Sequence, residues 1–159
     1  MEQKDPTLHY TVCVADTDAN GVVYHGRYVE MVERSRNRLM NLAGFTFRTL
    51  ARQHQIMLVV HRMEAVYHAP ALLDDQLRLE TRLKRCQPSR TVWVTDVMRD
   101  DELLASITIE MVAVHVSNRQ LVPHPPAFLD GLARYLEVVR EPGRSIRRAA
   151  GAASGADEI

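Results

Sequence analysis

Between Arg27 and Ala43, apolar and small residues recur at helical spacing: Tyr28, Met31, Val32, Ser35, Leu39, Leu42 and Ala43. Glu30, Arg34, Asn37, Arg38 and Asn41 fall on the other faces. This pattern predicts one long amphipathic helix, ended by Gly44. From residue 56 the period drops from 3.6 to 2 and stays there for about sixty residues. Four strands follow, over 56–68, 75–87, 90–99 and 102–116. In the second, Leu77, Leu79, Thr81 and Leu83 alternate with Arg78, Glu80, Arg82 and Lys84, which gives it one wet face. Asp100-Asp101 is a tight polar connection, so the last two strands are expected to form an antiparallel hairpin. Ahead of the long helix, HYTVCVA (9–15) reads as a short strand that delivers the chain into the turn-forming DTDANG. A brief second helix is expected over 46–54, starting from Thr46, and a terminal one over 127–139, after Pro123, Pro125 and Pro126 end the sheet.

These elements describe an α+β domain over residues 1–140, with a five-stranded antiparallel sheet against one long helix, and a flexible C-terminal tail over 141–159 that is small, polar and low in complexity. One helix covers little of such a sheet. The uncovered apolar surface therefore predicts a homodimer or homotetramer, with sheets joined edge to edge or packed through their helices.

Composition narrows the function. The 159 residues, 46% hydrophobic and 25% charged, suit one globular domain. Lys plus Arg equal Asp plus Glu at 20 each, which argues against a nucleic-acid footprint or a general attraction to anionic membranes; an anionic ligand would need a local basic patch. Cys13 and Cys86 have no CxxC spacing, and His9, His54, His61, His68, His115 and His124 show no HxH or HExxH spacing. Neither a disulfide framework nor a metal site is expected. The polar MEQKDPTLHYTV start has no apolar leader, and no run approaches the ~18 apolar residues of a membrane span, so a cytoplasmic protein without integral membrane association is expected.

The most informative stretch is Asp16 to Gly26, which joins two carboxylates, a glycine turn and a histidine at the mouth of the long helix. The unpaired amides at a helix N-terminus, with its partial positive charge, can bind an oxyanion and keep a nearby carboxylate ionised. A thioester hydrolase needs both, with the carboxylate acting either as nucleophile or as general base on water. Taken alone, the D-x-D-x-x-G pattern is equally ordinary turn and capping chemistry. An EF-hand loop is excluded, because the Glu required at its twelfth position falls at Arg27.

The run VADTDANGVVYHGRYVEMVERSRNRLM resembles the signature of the 4-hydroxybenzoyl-CoA thioesterase family of hotdog proteins, in particular its Tol-Pal-associated acyl-CoA thioesterase branch. VVHRMEAVYHAPALLDD and PSRTVWV extend the likeness, which covers roughly residues 8–130. The resemblance implies a hotdog fold, its sheet wrapped around the long helix. It also implies hydrolysis of an acyl-CoA or acyl-carrier-protein thioester, Asp18 as the catalytic carboxylate, and His25 at the helix start, where a backbone N–H polarises the thioester carbonyl. Asp16 is expected to fix the loop, Tyr24 to form pocket wall, and Glu33 stays outside the catalytic set. No cofactor is implied beyond the coenzyme A of the substrate. For its phosphates the expected contacts are Arg90, flanked by Ser89 and Thr91, and Arg62, with Arg82, Lys84 and Arg85 as further candidates. Two alternatives stand beside hydrolysis: a hotdog hydratase or dehydratase, and a non-catalytic acyl-carrier or cell-envelope binding partner.

Overall fold

The structure, a computed structural model, describes residues 5–133 and 135. Its elements are β1 (Leu8–Thr11), α1 (His25–Leu42), α2 (Phe47–His54), β2 (Ile56–Tyr67), β3 (Gln76–Gln87), β4 (Arg90–Arg99), β5 (Glu102–His115) and α3 (Pro126–Ala133). The strands form one antiparallel sheet in the order β1-β3-β4-β5-β2. This is the α+β architecture expected, with α1 lying on one face of the sheet. The expected tail over 141–159, and the expected terminal helix beyond Ala133 apart from Tyr135, lie outside the described residues.

The core follows from the two periodicities. Leu77, Leu79 and Leu83 of β3, Trp93 and Val97 of β4 and Ile107, Ile109 and Met111 of β5 all turn to the helix face, where Tyr28, Met31, Val32 and Leu39 of α1 meet them. At the centre of this interface the Thr81 hydroxyl donates to Ser35 Oγ at 2.7 Å and shares a 2.8 Å bond with Thr95, so three buried hydroxyls satisfy one another beneath the helix. The buried set of α1 is wider than expected: Arg36 and Met40 are covered too, and among the described residues Arg36 has an ion-pair contact to Glu33 at 2.7 Å and no further polar partner. A stripe counted on apolar residues alone does not register a buried arginine.

The expected strand over 9–15 is shorter. It ends at Thr11, and residues Val14–Asp16 form a 3-10 turn. The cause is the Asp16 carboxylate, which accepts a bond from the Cys13 amide at 2.9 Å and bends the chain before it can extend. The long helix begins at His25, two residues before the spacing suggests. Its far end is met by α3: Phe128 packs edge-on against Phe45 at 5.3 Å, and Gly131 lies so close to α1 that a β-carbon there would stand 2.6 Å from the Ala43 carbonyl oxygen.

β2 has a different environment. Val60, Met63 and Tyr67 pair with Met111, Ile109 and Ala105 and so share the core face, yet they are 47%, 38% and 46% exposed. The same strand forms one edge of the sheet, so its outer backbone groups lack a strand partner among the described residues.

Candidate functional site

Asp16 anchors the loop that leads into α1. Its carboxylate is fully buried and takes bonds from the Cys13 amide (2.9 Å) and thiol (3.2 Å), the Tyr10 hydroxyl (2.9 and 3.0 Å) and Arg27 through Nε (3.0 Å) and Nη2 (2.8 Å). Burial pushes its pKa up, but these donors outweigh burial and hold it at about 2. Because Arg27 belongs to α1, the ion pair ties the loop to the helix. The Tyr24 amide, donating to the Asp16 carbonyl at 2.9 Å, ties it a second time.

Two residues later the chain turns. The Gly21 amide bonds the Asp18 carbonyl and the Asp18 amide bonds the Val22 carbonyl, closing a tight loop in which Gly21 takes φ +75°, a conformation that side chains disfavour. Asn20 N–H donates to Asp18 Oδ1 at 2.7 Å and orients the carboxylate, while Oδ2 has no partner among the described residues. Thus two neighbouring aspartates have different environments, one saturated inside the protein and one half-buried with an oxygen to spare.

Asp18 and His25 border a single cleft of about 360 Å³. Tyr28, Tyr67 and His68 form its polar and aromatic walls, and Val22, Val23, Ala69 and Pro70 its apolar ones. Pairing of Thr17 with Val23 and of Val22 with Leu72, and the bond from Val23 N–H to the Ala71 carbonyl, hold the loop against the segment that follows β2. At the helix mouth Tyr24 occupies the cap position without a side-chain capping bond. The Arg27 amide bonds the Tyr24 carbonyl, whereas the amides of His25 and Gly26 have no acceptor among the described residues. These two N–H groups carry the positive end of an 18-residue helix at the edge of the cleft. The Tyr24 ring packs on the His25 ring at 4.3 Å and stands outside the cleft lining, at its rim.

The expected coenzyme A contacts divide between the two faces of the sheet, Arg62 and Arg90 lying on the outer one beside Glu110. Successive side chains of a strand alternate between faces, so Arg90 and Thr91 point apart. Thr91 is fully buried on the helix side, its hydroxyl accepting from Trp93 Nε1 at 2.9 Å, which corrects its expected place in a ligand contact. Arg90 lies on the outer face, ion-paired with Glu110, and Arg62 is paired with Glu64 at 3.2 Å. Arg82 pairs with Asp96. Ser89 is half-buried in the β3–β4 turn, its carbonyl accepting from the Ala113 amide. Lys84 and Arg85 are exposed and make no ion pair among the described residues.

Tyr67 and His68 are cleft residues that strand periodicity did not single out; their signal lay in VYHAP, where an aromatic pair precedes the Ala-Pro that ends β2. Among the described residues no group of three or more His, Cys, Asp or Glu is arranged to hold a metal, and no helix is long and apolar enough to cross a membrane.

Residues 12–132 match the model of the thioesterase-like superfamily. An acyl-CoA thioesterase of Haemophilus influenzae, YbgC, is 33% identical over 110 residues, which cover 69% of this chain and 81% of that protein. A 1,4-dihydroxy-2-naphthoyl-CoA hydrolase of Synechococcus is 30% identical over 135 residues, 82% of this chain and 88% of its own. Among solved structures, a probable thioesterase from Bartonella henselae superposes with a TM-score of 0.70 at 30% identity, over 75% of this chain and 98% of that one.

Proposed function

The chain belongs to the thioesterase-like superfamily, and from that membership we propose that it hydrolyses acyl-CoA thioesters in the cleft between Asp18 and the mouth of α1. One observation carries the reading: the Asp18 carboxylate, with an oxygen that has no partner among the described residues, borders the same cavity as His25, whose unspent amide and that of Gly26 next to it form the mouth of the helix. The thioester carbonyl carbon lies against Asp18 with its oxygen toward the amides. As the carbon becomes tetrahedral the oxygen takes up negative charge, and a backbone donor fixed at that point lowers the barrier by ~3 kcal/mol. The Asp18 carboxylate delivers the attack by one of two routes. As nucleophile it forms a mixed anhydride as the C–S bond breaks and the thiolate leaves, and water then cleaves the anhydride. As base it takes a proton from a water molecule that attacks directly. Both routes end in free acid and thiol and use only water as co-reactant.

The Tol-Pal-associated branch is the finer placement supported by the DTDANGVVYH run. The two free thiols, Cys13 and Cys86, suit a reducing cytoplasm. A homodimer formed through β2 would cover its exposed core-face residues, and a tetramer remains the larger form of the same association. Acyl-carrier-protein thioesters belong in the same substrate panel. The hydratase and the non-catalytic binding reading have less support, because the named relatives are thioester hydrolases.

Purified protein offered short-chain, long-chain and aromatic acyl-CoAs should release free thiol, and Asp18→Asn should lower the rate by ~10²-fold or more. An unchanged rate in the variant would remove Asp18 from the mechanism. Label in the Asp18 carboxylate after repeated turnover in H₂¹⁸O selects the anhydride route with water attacking the Asp18 carbon, and a rapidly quenched Asp18 heavier by the acyl group selects it where water attacks the acyl carbon; neither signal is expected of the base route.

A further inference from the structure

The amides at the helix mouth are backbone groups, so their strength as donors depends on what holds the peptide units that carry them. One of those units has an external hydrogen bond. The Tyr67 hydroxyl, at the end of β2, donates to the His25 carbonyl oxygen at 3.2 Å. That carbonyl and the Gly26 N–H belong to the same peptide plane, on opposite sides of a bond with little freedom to twist. A donor on the carbonyl draws electron density toward oxygen and makes the N–H across the plane more acidic and better oriented. The Tyr67 ring is itself fixed: it meets the Tyr28 ring edge-on at 5.4 Å, and the buried Tyr28 hydroxyl accepts from the Ala71 amide at 3.2 Å. Ala71 in turn accepts from Val23 of the loop that carries Asp18.

We propose that Tyr67 is a positioning residue for catalysis: through the His25–Gly26 peptide it aligns and polarises the Gly26 amide as a second oxyanion donor beside that of His25. Gly26 is suited to this place. A β-carbon there would come within 2.6 Å of the Tyr24 ring, so glycine leaves the first turn open while Tyr24 packs on His25. The transition state is then held by two adjacent amides, one of them strengthened from the end of β2. This rests on the thioesterase reading above.

The test is Tyr67→Phe in the full chain, which keeps the ring and removes only the donor. The single-turnover rate of thioester cleavage should fall roughly three- to tenfold, the loss of one ordinary hydrogen bond's worth of stabilisation. KM, and the dissociation constant of a thioether analogue that lacks the carbonyl, should stay unchanged. In the free protein the Gly26 amide nitrogen resonance should move upfield, as expected when the preceding carbonyl loses a donor. A merely structural role would change the melting temperature and the thioether affinity without this split. Full single-turnover activity in Tyr67→Phe, or an unmoved Gly26 resonance, would overturn the role of Tyr67 while leaving Asp18-dependent hydrolysis in place. A wild type that cleaves no thioester would overturn the reading beneath it.

Discussion

Two aspartates separated by a single residue show how environment divides labour within a loop. Asp16 has donors on both oxygens and is out of water; Asp18 has a single amide donor and faces a cavity. Replacing Asp16 by Ala strands Arg27 and the buried donors around it, and should cost ~3 kcal/mol in urea denaturation, the lower end for a broken buried pair because Arg27 keeps some access to water. Asp18→Asn should leave stability nearly unchanged, so the two variants exchange their effects on folding and rate. Acid sensitivity is also decided by single residues. Burial lowers the pKa of His124 from 6.5 to about 4, and both ring nitrogens lack hydrogen-bond partners among the described residues. Between those values the unfolded chain takes up a proton that the folded chain refuses, so stability falls as pH drops from 6.5 toward 4. Asp16, lowered from 3.8 to about 2, adds a second loss as pH falls through that range. His124→Leu should abolish the first step in a pH series of denaturation midpoints and leave the second.

Among the elements, the strands and helices were the most legible part of the sequence, because each had a face to bury. β2 to β5 lie within a residue or two of where alternation placed them, and α1 within two. The stretch over 9–15 misled because Val12, Cys13 and Val14 have strand preferences that one carboxylate, Asp16, overrides through its bond to the Cys13 amide. The candidate site divided in the same manner. Asp18 and His25 were legible as neighbours along the chain. Tyr67 was not, since its bond to His25 spans 42 positions and no local pattern encodes it. The basic positions are a mixed case: by register Arg62, Arg82, Arg85 and Arg90 share the outer face of the sheet, with Arg62 and Arg90 both beside Glu110, whereas Thr91, next to Arg90 in the chain, turns to the buried one. Packing between elements offers its own test at Gly131, whose missing β-carbon lets α3 approach α1. Gly131→Ala should destabilise the fold by ~1–3 kcal/mol, visible as a melting temperature lowered by several degrees.

At the scale of the whole molecule, an edge strand with core-type residues left in water is the feature that a single chain leaves unresolved. Val60, Met63 and Tyr67 belong by register to the buried face, and a second copy laid along β2 would cover them. Met63→Lys should therefore shift sedimentation toward the monomer and lower activity with it, since Tyr67 and the cleft lie on the same strand. A protein that sediments as a monomer before and after the change would refute the association.

The hydroxyl chain of Ser35, Thr81 and Thr95 also affects the timing of fluctuations. It fastens the middle of α1 to the sheet, while the first turn is held from outside by the Arg27 ion pair and the hydroxyls of Tyr28 and Tyr67. Amide protons in the central turns should exchange with deuterium only when the whole domain opens, and those of the first turn far sooner. A helix fastened at its waist lets its mouth fray and re-form around each acyl group without loosening the fold that carries it.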